Sequence, residues 1–207
     1  LRACGGVLLV IDAAQGVEAQ TIQNAYLASE NGLEILPVIN KIDLPAADVP
    51  GAITELEDII GVPGDHAVPV SAKTGENVRA VLEGIVAHLP APTGDPNGPL
   101  RAFIFDAVYD AYQGVIAFIR VFDGTLKAKD RVRIFSTGKV VEVERVGFFR
   151  PEPTVSGQLS VGEVGWFTAG IKEISDTQIG DTITGADNPT DRPIPGDEEA
   201  TGITEAS

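Results

Sequence analysis

The chain has 207 residues, 43% of them hydrophobic, so it can bury a core as one large domain or two small ones. Its 15 lysines and arginines are outnumbered by 30 aspartates and glutamates, and the formal net charge of −15 argues against autonomous nucleic-acid binding. A single cysteine, Cys4, excludes an internal disulfide, and we expect it to be a small buried hydrophobe. The two histidines, His66 and His88, lie too far apart in sequence to suggest a metal site, and the longest apolar run, 7–11, is too short for a membrane helix.

The first part of the chain alternates between short apolar runs and helical patterns. Apolar runs at Gly6–Asp12, Glu34–Asn40 and 67–71 predict strands that are buried on both faces, as in a parallel sheet. Apolar residues three and four positions apart predict helices over 53–60 and 78–89. This order of strands and helices predicts a layered α/β sheet with flanking helices and right-handed crossovers.

A change in composition marks a domain boundary. Residues 92–99 are rich in proline and glycine, which neither a helix nor a strand tolerates, so we expect a linker there after a first domain over 1–91. Beyond it the hydrophobic pattern alternates, and β-branched and aromatic runs separated by turns predict an all-β barrel over 100–184. Residues 185–207 are acidic with few apolar side chains, so we expect a disordered tail.

Polar residues follow the second predicted strand where it ends, in the order Asn40, Lys41, Ile42, Asp43. Ligands of open α/β sheets lie beyond the carboxyl ends of the strands. The carboxylate of Asp43 can accept two parallel hydrogen bonds from guanine, from its ring N–H and its amino group. Adenine offers no such pair, and a site of this kind discriminates by about 10⁴-fold or more. The stem of Lys41 can lie flat over a base, and Asn40 can both bond a base edge and tie neighbouring loops.

The third predicted strand ends in Ser71, Ala72 and Lys73, on the same edge of the sheet. The backbone N–H of a small residue in this loop can point at the guanine carbonyl, and Gly75 eases the turn into the next helix. An ordinary turn with solvated polar residues is the alternative for either loop alone. Two such motifs at successive strand ends favour a guanine site.

These two loops resemble the guanine-recognition motifs of GTPases. Segments 12–21 and 40–48 narrow the resemblance to translational GTPases, and the nearest match is the LepA, or elongation factor 4, family. The resemblance covers about residues 1–184, because it continues through four segments of the β region, at 108–115, 123–126, 135–138 and 162–166. It implies a truncated P-loop GTPase sheet followed by a translation-factor barrel.

By this resemblance the full-length protein is a ribosome-binding GTPase that moves tRNAs backward by one codon and contributes to translation fidelity. The implied cofactors are GTP or GDP and Mg²⁺, and the implied partners are the ribosome and tRNA. Residues 40–43 would hold and frame the guanine, and residues 71–73 would close its far side. The implied location is the cytoplasm, with peripheral attachment at the inner face of the cell membrane.

The family's phosphate-binding loop, magnesium-binding threonine and Asp-x-x-Gly switch have no counterpart in these 207 residues. We expect them upstream of Leu1, because a chain without methionine that starts at leucine indicates an internal piece of a longer protein. No catalytic or metal-binding residue is therefore predicted here, and we expect no GTP hydrolysis by this stretch alone. The alternative is a non-catalytic interaction module whose barrel binds a ribosomal or protein partner.

Further residues of the β region carry expectations of their own. Five basic residues lie close together and form either an RNA-facing surface or solvated edge strands that discourage aggregation: Lys127, Lys129, Arg131, Arg133 and Lys139. Lys129 stands where barrels of the family usually carry glycine, so its turn must tolerate a lysine or differ in shape. We expect Trp166 in the barrel core rather than as a base-stacking platform.

Two expectations concern other parts of the chain. Asp12 is expected to form a turn rather than half of a paired-carboxylate site. The sequence of residues 196–207 departs from the pattern of the family.

Overall fold

The computed structural model describes residues 3–171 and 177–195, and the chain divides into two units, Leu1–Ala91 and Pro92–Ser207. The first unit contains a parallel sheet in the order β1-β2-β3, formed by β1 (Gly6–Asp12), β2 (Glu34–Asn40) and β3 (Val68–Val70). Its helices are α1 (Ala19–Glu30), α2 (Val49–Glu55) and α3 (Val78–His88). None of the helices in the described part of the chain has the length and apolar character that a membrane crossing requires.

The helix α2 shows how the sequence sets local boundaries. The carboxylate of Asp48 accepts a hydrogen bond from the backbone N–H of Gly51 at 3.0 Å, and Pro50 occupies the first turn, where no N–H is needed. The helix then widens into a π-helical turn, Leu56–Ile60, and Gly61 ends it with φ of +75°. The helix predicted over 53–60 is therefore confirmed, with an irregular last turn.

The register of the parallel strands places their carboxyl ends side by side. Asp12 at the end of β1 pairs with Asn40 at the end of β2, and Asn40 pairs with Val70 at the end of β3. Beneath the sheet lies an apolar cluster that includes Ile39 and Leu56, both fully buried. The strand ends are thus fixed by a packed core.

The second unit is antiparallel and consists of strands only, within the residues described. Its strands are β4 (Arg101–Asp110), β5 (Gly114–Asp123), β6 (Thr125–Lys127), β7 (Arg131–Ile134), β8 (Val140–Glu142), β9 (Arg145–Arg150), β10 (Glu152–Ser156), β11 (Gln158–Ser160), β12 (Val164–Thr168) and β13 (Thr182–Gly185). Eight of them form one sheet in the order β10-β9-β12-β5-β4-β13-β7-β8, and β6 pairs with β11. The predicted fold class, a parallel α/β sheet followed by an antiparallel β domain, is confirmed.

Both sheets of the second unit contribute to one apolar core. Leu126 of β6 and Leu159 of β11 are fully buried in the same cluster as Ile104 of β4 and Phe167 of β12. The two-stranded ribbon therefore packs on the main sheet rather than standing apart from it.

Trp166 is buried, with 4% of its surface exposed, but it does not belong to that core cluster. Because side chains alternate along a strand, Trp166 projects to the opposite face of β12 from Phe167. On that face it lies against Gly147, where a Cβ atom would come within 2.5 Å of the indole ring. The guanidinium of Arg145 lies 5.6 Å from the indole ring centre.

Residues 92–99 contain no helix or strand, in keeping with their proline and glycine content. They are nevertheless anchored to the second unit. The backbone N–H of Asp95 donates to the carboxylate of Asp123 at 2.8 Å, and the carbonyl of Asp95 accepts the N–H of Gly124 at 2.8 Å. The assignment of this stretch as an interdomain linker stays a prediction.

Disorder of the tail over 185–207 stays a prediction, although residues 185–195 make hydrogen bonds within the second unit. Gly185 belongs to β13, and the N–H of Ala186 donates to the carbonyl of Arg131 at 2.8 Å. Further along, the N–H of Ile194 donates to the hydroxyl of Thr182 at 2.8 Å. These bonds hold the stretch against β7 and β13, while residues 196–207 lie outside the described residues.

Candidate functional site

The carboxyl ends of β2 and β3 border a cleft of about 260 Å³ in the first unit. Its lining comes from the ends of these strands and the loops that follow them, namely Asn40, Lys41, Asp43, Leu44, Ala72 and Lys73. This is the edge at which ligands bind in open α/β sheets. The two sequence motifs therefore meet in one cleft.

Asn40 ties the two loops together. Its side-chain Oδ1 accepts the N–H of Lys41 at 2.8 Å and the N–H of Ala72 at 3.0 Å. The loop-tying role predicted for Asn40 is confirmed. We expected the N–H of a small residue in the second loop to face a guanine carbonyl, but the N–H of Ala72 donates to Asn40. Since Oδ1 accepts two bonds, the amide nitrogen Nδ2 is the group through which Asn40 can bond a base.

Asp43 is held at the cleft by a fully buried serine. The hydroxyl of Ser71 donates to Oδ1 of Asp43 at 2.6 Å and accepts the N–H of Thr74 at 3.1 Å. The Ser71 hydroxyl is the largest cause that lowers the pKa of the Asp43 carboxyl below its ordinary value of 3.8; burial opposes it, and the Lys73 ammonium adds to it. Asp43 is therefore an anion at neutral pH.

Lys41 leaves β2 in the left-handed region, with φ of +67°. Its ammonium nitrogen lies 2.6 Å from Oδ2 of Asp12 at the end of β1, and Oδ1 of Asp12 accepts the N–H of Ala14 at 2.8 Å. The hydrogen bond from Lys41 lowers the pKa of Asp12, and Asp12 in turn raises the pKa of Lys41. Asp12 forms a turn, as predicted, because its carbonyl accepts the N–H of Gly16 at 2.8 Å.

The loop after β3 closes as a tight turn before α3. Gly75 has φ of +86°, and its N–H donates to the carbonyl of Ser71 at 2.9 Å. The N–H of Ser71 donates to the carbonyl of Glu76 at 3.0 Å. The predicted role of Gly75 in this turn is confirmed, because a left-handed backbone favours glycine.

Two of the predicted site residues contribute no side chain to the cleft wall. Ile42 packs against the apolar cluster beneath the sheet, and Ser71 lies behind Asp43. Leu44 does line the cleft, although no sequence signal beyond its place next to Asp43 singled it out. The ion pair of Asp12 was missed as well; the signal for it was that Asp12 and Asn40 end adjacent strands.

The histidines are closer in space than in sequence. The rings of His66 and His88 are stacked, with their centroids 3.9 Å apart. Across residues 3–171 and 177–195, no group of three histidine, cysteine, aspartate or glutamate side chains is placed to hold a metal ion. Cys4 is exposed, so the expectation that it is buried is wrong.

The basic cluster of the second unit makes several contacts within the chain. Arg131 lies 3.4 Å from the carboxylate of Asp187, and the guanidinium of Arg133 lies 5.9 Å from the ring centre of Phe135. Lys129 keeps the left-handed turn with φ of +71°, so the turn tolerates a lysine rather than changing shape. An RNA-facing role for the cluster stays a prediction.

Comparison with known proteins follows the same two-part division. The family model of the elongation factor Tu GTP binding domain matches residues 1–91, and that of elongation factor Tu domain 2 matches residues 114–184. Elongation factor 4 of Halalkalibacterium halodurans is 54% identical over 196 residues, and that of Acetivibrio thermocellus is 55% identical over 197 residues. Each alignment covers 95% of this chain. The chain belongs to the elongation factor 4 family.

The chain spans about a third of the length of its elongation factor 4 relatives, 32% and 33% in these two cases. Among solved structures, translation elongation factor SelB from Methanococcus maripaludis, in its apo form, matches with a TM-score of 0.71 and 18% sequence identity. That match covers 90% of this chain and 41% of the SelB chain. At this identity the likeness shows that the fold is shared.

Proposed function

We propose that the full-length protein is a ribosome-dependent GTPase of the elongation factor 4 type, and that this chain supplies its guanine-recognition half and its second domain. The observation that carries the proposal is the anionic carboxylate of Asp43, which Ser71 holds at a cleft between two loops. Homology to elongation factor 4 over 95% of the chain supports the same conclusion.

Recognition of guanine follows from the chemistry of the cleft. The carboxylate of Asp43 accepts from the ring N–H and the amino group of the base, and discrimination against adenine by about 10⁴-fold results because adenine would leave that carboxylate unpaired. Lys41 and Asn40 frame the base from the β2 side, and Ala72 with Lys73 closes it from the β3 side.

The cleft supplies groups for the base of a nucleotide, and the groups for its phosphates must come from elsewhere in the full-length protein. Within the described residues, no loop that could cradle phosphates and no ligand set for Mg²⁺ accompanies it. The sheet ends at β1, where Leu8 and Val10 are 40% and 55% exposed, although parallel strands are usually covered on both faces. This exposure supports further structure packed on that face of β1 in the full-length protein. The γ-phosphate and Mg²⁺ ligands that hydrolysis requires would also lie in the rest of the full-length protein.

The partners and location follow from family membership. We propose that the full-length protein acts in the cytoplasm on the ribosome, moves tRNAs backward by one codon and contributes to fidelity. Peripheral attachment to the inner face of the membrane stays a prediction. Among the contacts described for residues 92–171 and 177–195, none favours the alternative of a non-catalytic interaction module.

The proposal is tested by nucleotide preference in the full-length protein. Asp43→Asn should raise the affinity for xanthosine triphosphate relative to GTP by about 100-fold or more, because an amide can donate to the additional xanthine oxygen where a carboxylate only accepts. Equilibrium competition between the two nucleotides measures the ratio. Asp48→Asn is the matched control, because Asp48 caps α2 outside the cleft and asparagine keeps a cap acceptor. An unchanged preference in Asp43→Asn would refute the assigned role.

A further inference from the structure

The end of β1 contributes to the cleft through an ion pair that the recognition motifs do not include. Oδ2 of Asp12 lies 2.6 Å from the ammonium of Lys41, and the Asp12 side chain is only 14% exposed, whereas that of Lys41 is 54% exposed. Strand pairing places Asp12 directly beside Asn40, the residue before Lys41. The less exposed partner is thus fixed by the sheet, and the more exposed one is the side chain that lines the cleft.

Asp12 is itself held on both sides of its carboxylate. Its Oδ1 accepts the N–H of Ala14 at 2.8 Å while Oδ2 meets Lys41, and the N–H of Ala13 donates to the carbonyl of Asn40 at 2.8 Å. These bonds give the carboxylate one orientation. An ammonium bound to it is therefore fixed at the end of a stem that would otherwise sample many rotamers.

We propose that Asp12 is a positioning residue for nucleotide recognition: by holding the ammonium of Lys41, it keeps the Lys41 stem against the cleft, ready to pack on one face of the purine ring. This inference rests on the proposed guanine site and deepens it. A ligand group that is ordered before binding loses less conformational freedom on binding, so the ion pair increases affinity for the base. The phosphates play no part in this effect, and GDP and GTP benefit equally.

The test uses the full-length protein and a GDP with a fluorescent label on its ribose. Asp12→Asn keeps the acceptor for Ala14 and removes only the charge, so it should lower the affinity for labelled GDP by about two- to fivefold, the range expected for a partly exposed ion pair. Unlabelled GTP, added in competition, should show the same fold-change. The effect should shrink at high ionic strength, because salt screens exposed charges. Asp12→Glu, which retains the charge, should recover most of the affinity.

A double-mutant cycle separates positioning of Lys41 from general support of the loop. In a Lys41→Ala background, Asp12→Asn should cause no further loss of affinity. The matched control is Asp123→Asn, because Asp123 also pairs with an arginine and accepts a backbone N–H, but in the second unit. It should bind labelled GDP as the wild type does.

Equal affinity in the wild type and Asp12→Asn would overturn the inference while leaving the guanine site in place. So would an equal loss in the wild-type and Lys41→Ala backgrounds, since that would mean that Asp12 acts on the loop and not through Lys41. A wild-type protein without preference for guanosine nucleotides would overturn the proposed function and this inference together.

Discussion

Replacing Lys129 by glycine should stabilise the second unit. Lys129 has φ of +71°, a left-handed backbone that an L-residue with a Cβ adopts only at a cost. Its turn is closed by the N–H of Asp130, which donates to the carbonyl of Lys127 at 3.2 Å, and by the carboxylate of Asp130, which accepts the N–H of Lys127 at 2.8 Å. The side chain of Lys129 is exposed, so removing it sacrifices no core packing.

The size of the gain follows from two opposing effects. The left-handed conformation costs an L-residue about 1–2 kcal/mol, which glycine avoids. Glycine also gives the unfolded chain more freedom, which costs about 0.5–1 kcal/mol on folding. The difference is a stabilisation of about 0.5–1 kcal/mol, or a rise of about 2–6 °C in Tm for a unit of this size.

Equilibrium urea unfolding of the 207-residue chain measures this change, because the single tryptophan, Trp166, reports on the second unit. Lys129→Ala keeps the Cβ and should change stability little. Lys127→Gly places glycine two residues away, where the backbone is not left-handed, and should destabilise the unit by about 0.5–1 kcal/mol. If Lys129→Gly lowered the urea midpoint as Lys127→Gly does, the strain argument would be refuted.

Two further predictions concern the packing of Trp166 and the charge of Asp43. Gly147→Ala should destabilise the second unit by about 1–3 kcal/mol, because its Cβ would come within 2.2 Å of the Thr154 carbonyl oxygen and 2.5 Å of the Trp166 ring; an unchanged urea midpoint would contradict this. The pKa of Asp43, measured by carboxyl ¹³C NMR, should lie below 3.8 and move up towards that value in Ser71→Ala. Because this folded-state pKa is lowered, its contribution to stability is present above pH 3.8 and is lost as the pH falls through the lowered value; an Asp43 pKa at or above 3.8 in the wild type would rule out the Ser71 effect.

The elements that define the fold class were readable from the sequence because their signals are local. The strands β1 and β2 have the bounds that their apolar runs predict. The expectation that these strands are buried on both faces is wrong for β1, because Leu8 and Val10 on one of its faces are exposed. The helix α3 follows its apolar spacing in the same way. The two-stranded ribbon of β6 and β11 was not predicted, because a strand of three residues is too short to show the alternation of apolar and polar side chains.

Contacts between residues far apart in the sequence could not be predicted from such local patterns. The stacked rings of His66 and His88 depend on where the start of β3 and the end of α3 meet. The contacts of residues 186–195 depend on threonine hydroxyls in β13, which composition does not reveal. Trp166 is buried, as predicted, but it lies on the opposite face of β12 from Phe167, and nothing in the sequence indicated on which face of the strand the larger apolar cluster would form.

The hydrogen bonds within the cleft show how the proposed site would select guanine from two directions. Oδ1 of Asn40 is occupied by two N–H groups, so Asn40 meets a base as a donor through Nδ2, while the carboxylate of Asp43 meets it as an acceptor. Guanine presents acceptors at N7 and O6 and donors at its ring N–H and amino group. Adenine shares the N7 acceptor but presents an amino donor where guanine has O6, so it mismatches the Asp43 side and, where Asn40 donates to O6, the Asn40 side as well. Because the bonds that orient Asn40 do not involve Asp43, changing Asp43 alone should redirect the site to xanthine, which keeps the O6 acceptor, and not to adenine.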